Sequence, residues 1–261
     1  MKSSIMVIFG GSGDLTKRKL MPSLFNLFKK GRLTDDYKIL AAGRTENNDE
    51  TFRASISESL KLFLPQEEQN EAQIEKFLAI IFYHAMDPSN MNDYVSLKDK
   101  LWDIAGKKED YLYYLATPPS LYEIIPLCLR NVGLNTKDSR VIVEKPFGYA
   151  LESAKRVNSI LKESFEENQI YRIDHFLGKE TVQNILAFRF SNGIFDPLWN
   201  RNYIDRIEIT AVENLGIGDR GRFYDSTGSL RDMVQNHLIQ LLALVAMEPP
   251  VAFNESEFRN E

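Results

Sequence analysis

Ser4-Ile5-Met6-Val7-Ile8-Phe9-Gly10-Gly11-Ser12-Gly13-Asp14-Leu15-Thr16 passes from an apolar run straight into three glycines. Five consecutive apolar residues suit a strand covered on both faces, as in a parallel sheet. Glycines at its end let the backbone turn sharply and approach a pyrophosphate, which the N–H groups and dipole at the start of the next helix favour. Gly10, Gly11, Ser12, Gly13, Asp14 and Leu15 are therefore expected to hold a dinucleotide, the alternative being a plain tight turn. Thr16 stands where the general fingerprint has its third glycine, so strand and helix must accommodate a larger residue there.

Outward from this turn, strand-like runs at Ser4–Phe9, Lys38–Ala42, Ile80–His84, Tyr111–Ala116 and Arg140–Glu144 alternate with helix-like segments. Asp14 is expected to cap a helix running to Lys30, and Pro118-Pro119 to open one through Cys128. A βαβ series of this kind predicts an α/β fold, a doubly wound Rossmann-type parallel sheet. Past residue 180 the pattern changes to a helix from Glu180 to about Phe190, alternating residues over Ile204–Val212 and a helical run over Ser229–Met247. This reads as the start of an α+β domain with a mostly antiparallel sheet. The expected division is residues 1–178 and 179–261, the second incomplete, because one strand and two helices cannot close a domain. The chain is thus expected to be a fragment.

Composition narrows the class. At 43% hydrophobic and 26% charged residues, with no run long enough to cross a bilayer, it is that of a soluble globular protein. A net charge of −5 argues against generic nucleic-acid binding, so any anion site must be a local basic cluster. One cysteine, Cys128, cannot form an internal disulfide, and the N-terminal run lacks a signal-peptide cleavage site; both predict a cytoplasmic protein.

The second strand ends at Ala42-Gly43-Arg44-Thr45, where an NAD-specific fold places an Asp or Glu on the ribose. A guanidinium suits a 2′-phosphate, so Arg44 points to NADP over NAD; the alternative is a solvated loop arginine. Asp87, after the third strand, is either a cofactor-side residue or a loop cap.

Arg172-Ile173-Asp174-His175-Phe176-Leu177-Gly178-Lys179-Glu180 gathers a carboxylate, an imidazole and an ammonium. On a helix, His175 and Lys179 would share a face at i and i+4, where both donate to one phosphate, and Asp174 could orient a second imidazole. The alternative is a charged surface helix with a capping Asp. His237 lies in the apolar helical run and, on residues alone, is either a satisfied core histidine or a base.

Gly10–Leu20, Glu144-Lys145-Pro146-Phe147-Gly148, Arg172–Glu180 and Gln235-Asn236-His237 together resemble the glucose-6-phosphate dehydrogenase family, over essentially all 261 residues. The resemblance implies oxidation of glucose 6-phosphate at C1 to 6-phosphogluconolactone with NADP, NAD serving as a secondary cofactor, in the first step of the oxidative pentose phosphate pathway. It assigns His237 as general base and Asp174 as its orienting carboxylate. It places His175 and Lys179 on the 6-phosphate, Glu213 and Asp232 on sugar hydroxyls and Lys19 at the mouth of the site. Lys145, in a cis peptide with Pro146, would bridge cofactor and sugar, and Thr45 and Asp87 would join Arg44 on the cofactor side. It implies no metal and, in the longer family proteins, a homo-oligomer.

Phe176 departs from the tyrosine common in the family. Without the phenolic hydroxyl, phosphate binding is expected to weaken by about 1 kcal/mol. Two other readings stand beside this one. Other Rossmann-type sugar oxidoreductases share a Glu-Lys-Pro strand end but lack the Arg172–Glu180 nonapeptide. A non-catalytic nucleotide-binding fragment would leave the apolar face of Ser229–Met247 exposed, so the isolated chain is expected to be poorly active and prone to association.

Overall fold

The computed structural model describes residues 5–33, 36–106, 110–148, 150–174, 176–212 and 221–251. The chain divides into two compact units, Met1–Ile173 and Asp174–Glu261. The division expected after Gly178 falls just past this cut, in the turn that opens the second unit.

The first unit is built on six parallel strands: β1 (Ile5–Phe9), β2 (Lys38–Gly43), β3 (Ile81–Ala85), β4 (Tyr111–Leu115), β5 (Arg140–Glu144) and β6 (Ile170–Ile173), in the spatial order β3-β2-β1-β4-β5-β6. This is the dinucleotide-binding order, with its reversal between β1 and β4. The five expected strands appear with bounds shifted by no more than one residue; β6 was not expected.

Helices α1 (Met21–Lys29), α2 (Asp49–Phe63), α3 (Glu71–Ala79), α4 (Asp93–Ala105), α5 (Ile125–Asn131) and α6 (Leu151–Ser164) cover the two faces. Alternation along β1 sends Ile5, Val7 and Phe9 into one core with Tyr94, Leu101 and Leu129, and Met6 and Ile8 into the other with Phe25, Ile56 and Phe77. Each such buried side chain contributes roughly 1.5–3 kcal/mol. Asn48 and Thr51 close a reciprocal capping box on α2, at 2.8 and 3.1 Å.

Local chemistry shifts two expected helix starts. After Pro118-Pro119 the chain makes only a short 3-10 turn, and α5 begins at Ile125. Pro126, which has no N–H, can sit only in a first turn, so it fixes the restart there. Asp14 lies inside the first helical turn and pairs with Arg18 at 3.5 Å; the helix then runs as a π-helical stretch, Thr16–Leu20, into α1.

The outer edge of β3 is closed by side chains of α2. Arg53 Nε donates to the Ile81 carbonyl at 2.7 Å, and the Tyr83 N–H donates to Asp49 Oδ1 at 2.7 Å. Asp49 Oδ2 in turn accepts from Lys100 of α4 at 3.0 Å. A row of unmet backbone groups is thereby denied to other strands.

In the second unit α7 (Glu180–Phe190) matches expectation. The long helical run is composite: α8 (Gly221–Ser229), broken at Gly228 with φ 72°, a π-helical stretch Leu230–Leu238, and α9 (Ile239–Ala246). Buried Arg189 donates to the Leu244 and Met247 carbonyls at 2.8 and 2.9 Å, and Trp199 Nε1 to Val245 at 2.8 Å, so two side chains satisfy the last carbonyls of α9. The alternating residues Ile204–Val212 form no strand. An alternating segment becomes a strand by pairing, and among the described residues none pairs with it.

Candidate functional site

Gly10 takes φ +85°, and a Cβ added there would lie 2.1 Å from the Ala116 carbonyl oxygen. A Cβ on Gly11 would meet that of Ala41 at 2.6 Å. The first glycine is therefore required by backbone conformation and the second by the close approach of β2. Thr16 is fully buried, and its hydroxyl donates to the Gly10 carbonyl at 3.0 Å, so the larger residue ties the turn to the helix it opens.

At the carboxyl ends of β1, β2 and β4 this turn borders a cleft of about 750 Å³, within the size range of small-molecule sites. Of the expected cofactor residues, Gly10, Ser12, Gly13, Arg44, Thr45 and Asp87 line it; Gly11, Asp14, Leu15 and Lys145 do not. Gly11 packs beneath it against Ala41, Asp14 is exposed beside Arg18, and Leu15 is half-buried in the first helical turn. Backbone free of side chains at a helix start, beside a guanidinium, fits a dinucleotide.

Asp87 unites its two readings. It lines the cleft, and its Oδ1 accepts from the Ser89 N–H and hydroxyl at 2.9 and 2.8 Å. Those bonds, with Arg44 adding attraction, hold its carboxyl below the usual range.

Two residues escaped sequence reasoning. The Tyr83 hydroxyl donates to the Thr45 carbonyl at 2.7 Å and lies 3.1 Å from that of Gly43, pinning the turn that carries Arg44. Burial pushes its pKa up, which keeps it a donor. Thr117, after β4, also lines the cleft. A hydroxyl inside an otherwise apolar strand run was the available signal for Tyr83.

Lys145 follows β5, is half-buried, and forms the cis peptide with Pro146 implied by the resemblance. The preceding Glu144 accepts a hydrogen bond from the Tyr114 hydroxyl, which fixes this strand end against β4. Lys19 is exposed on the π-helical stretch before α1.

In the second unit Asp174 and His237 come together. His237 is 3% exposed, on the π-helical stretch, and its Nδ1 stands 3.6 Å from Asp174 Oδ1. The same carboxylate oxygen accepts the Phe176 N–H at 2.9 Å. The Phe176 ring stacks on the imidazole, centroids 4.2 Å apart at 27°, and Lys179 Nζ lies 4.1 Å from the centroid of that ring.

The helical i, i+4 geometry expected for His175 and Lys179 is not formed. Arg172 and Ile173 belong to β6, residues 176–178 turn, and Lys179 precedes α7 with extended backbone. The Asp174 side chain, by accepting from Phe176 two residues on, holds the chain in an Asx turn instead of a helix. Asp232 lies on the same π-helical stretch as His237, half-buried. His175 and Glu213 lie outside the described residues.

The comparisons with known proteins agree with one another. The family described as "Glucose-6-phosphate dehydrogenase, NAD binding domain" matches residues 7–184, and its "C-terminal domain" matches residues 186–261. Glucose-6-phosphate 1-dehydrogenase of Aggregatibacter actinomycetemcomitans is 51% identical over 98% of this chain and 52% of its own length. The protein of the same name from Treponema pallidum (strain Nichols) is 47% identical over 98% of this chain and 51% of its own length. Among solved structures, "Glucose-6-phosphate dehydrogenase in complex with its substrate glucose-6-phosphate" superimposes with a TM-score of 0.90 at 37% identity, covering 99% of this chain and 54% of that one. The chain spans about half the length of the curated relatives it matches.

Proposed function

We infer that this chain, which belongs to the glucose-6-phosphate dehydrogenase family, serves the oxidation of glucose 6-phosphate at C1 with NADP. The observation that carries this reading is the buried imidazole of His237 with the Asp174 carboxylate 3.6 Å from its Nδ1. A carboxylate at Nδ1 favours the tautomer whose other nitrogen is a free base, and stabilises the imidazolium once formed. Nε2 of His237 then takes the proton of the C1 hydroxyl. Bound NADP supplies the acceptor for the hydride that leaves C1.

Lys179 and His175 are assigned to the sugar phosphate, Asp232 and Glu213 to sugar hydroxyls, Lys145 to the junction of sugar and cofactor, and Lys19 to the mouth of the site. Gly10, Gly11, Ser12, Gly13, Asp14 and Leu15 carry the pyrophosphate turn, with Arg44, Thr45 and Asp87 on the adenosine side. Arg44, in the cleft where an NAD-binding fold has a carboxylate, supports NADP as the preferred form. The nucleotide domain is assigned to residues 1–178 and the sugar domain to the remainder. A cytoplasmic location accords with the single buried thiol, Cys128.

The test is a substrate panel with the 261-residue chain and NADP, reading sugar affinity by calorimetry and oxidation by NADPH absorbance. Glucose 6-phosphate should bind more tightly than glucose, and Lys179→Ala should erase most of that difference. His237→Asn should lower any turnover by roughly 10²- to 10⁴-fold while sugar binding persists. A preference for the unphosphorylated sugar would overturn the reading.

A further inference from the structure

We propose that Phe176 is a positioning residue that aligns the Asp174–His237 pair, holding the carboxylate with its backbone and the imidazole with its ring. The inference rests on the assignment of His237 as the base, and extends it to a residue with no proton to give or take.

Three contacts converge on Phe176. Its N–H donates to Asp174 Oδ1 at 2.9 Å, the oxygen that faces His237 Nδ1 at 3.6 Å. Its ring stacks on the imidazole with centroids 4.2 Å apart at 27°, slightly closer than the roughly 4.5–7 Å usual for aromatic pairs. Lys179 Nζ sits 4.1 Å from the same ring centroid, at cation–π distance. The ring is 8% exposed and packs with Val182 and Leu244, so it cannot swing away without opening that cluster.

The need for such a residue follows from where the two partners sit. His237 rides on a helix, whereas Asp174 lies just past the end of β6, whose backbone ladder stops at Ile173. At 3.6 Å the pair stands just beyond hydrogen-bond distance, so a few tenths of an ångström decide whether Asp174 bonds to and orients the imidazole. A leucine of similar bulk would fill the space but present no plane against which the imidazole could settle. An aromatic ring supplies volume and plane together, and because it belongs to the residue whose N–H holds Asp174, one residue registers both partners.

The experiment compares the native chain with Phe176→Leu and Phe176→Tyr. Only three histidines are present, so the His237 ring protons are assignable by NMR through His237→Asn. In the native chain they should be displaced upfield by the stacked ring; Phe176→Leu should abolish the displacement and Phe176→Tyr preserve it. In NADP-linked oxidation of glucose 6-phosphate, Phe176→Leu should lower kcat roughly ten- to a hundredfold with little change in KM. Phe176→Tyr should keep kcat and lower KM about fivefold through its added hydroxyl.

Unmoved His237 resonances in Phe176→Leu, or an unchanged kcat, would overturn the proposal. Should Phe176→Leu fail to fold, Phe176→Tyr decides: lost displacement or a fallen kcat refutes the stack. A chain that binds glucose in preference to glucose 6-phosphate but loses the displacement in Phe176→Leu would sink the functional reading and leave the positioning role standing.

Discussion

On the proposed role of Arg44 in reading the 2′-phosphate, replacing it by alanine should leave NADP and NAD binding about equally. Arg44 is exposed at the rim of the cleft, where water and salt compete for its guanidinium. A charge-assisted bond to phosphate is worth roughly 1.5–3 kcal/mol when well shielded, and at this rim about 1–2 kcal/mol is appropriate. That corresponds to a roughly 5- to 30-fold loss of NADP affinity. NAD affinity should stay within about twofold, because a bare 2′-hydroxyl offers the guanidinium little.

Calorimetric titration of each cofactor into native and Arg44→Ala chains reads both numbers without turnover. Raising ionic strength should narrow the native preference, since an exposed charge contact is screened. Equal losses for NADP and NAD in Arg44→Ala would refute the reasoning, since the residue would then support the turn and not read the phosphate.

Gly10→Ala forces a side chain into φ +85° with its Cβ 2.1 Å from a backbone oxygen, which should cost about 3 kcal/mol or more and lower Tm by roughly 6–12 °C; a native-like melt would refute the role of that turn. Arg189→Met removes two bonds to the end of α9 and should cost about 3 kcal/mol in denaturant melts that follow the second unit. Burial, then the neighbouring Lys100, pushes the His84 pKa below its usual value. The unfolded chain therefore takes up that proton first, and the stability His84 confers is present above about pH 6.5 and lost as pH falls through it. Melts at about pH 7.5 and about pH 5.5 should show a smaller acid loss in His84→Gln than in the native chain.

The residues that spoke clearly in the sequence are those buried on both faces. β1 and β4 read as uninterrupted apolar runs because the sheet lies between two helical layers, and their bounds follow. β6 stayed hidden for the opposite reason: as an edge strand it exposes Tyr171 and Arg172, which breaks the run and let Arg172–Glu180 pass for one helix. The Asp174–His237 pair follows from the resemblance, and no spacing rule supplies it, since 63 positions separate the two. Tyr83 and Thr117 were missed because their roles arise from where strand ends converge, which topology fixes and local pattern does not. The Ile204–Val212 alternation shows the converse, a pattern that specifies a strand's faces without supplying its neighbour.

The closure of β3 by Asp49 and Arg53 also reaches into the opening dynamics of the sheet. An edge amide ordinarily exchanges its hydrogen with water through the slightest fraying, yet the Tyr83 N–H is held by a carboxylate that Lys100 holds in turn. For that amide to exchange, the first turn of α2 must release it. The rim of the sheet therefore opens together with a helix, as one cooperative piece, and Tyr83 should show the protection of an interior strand.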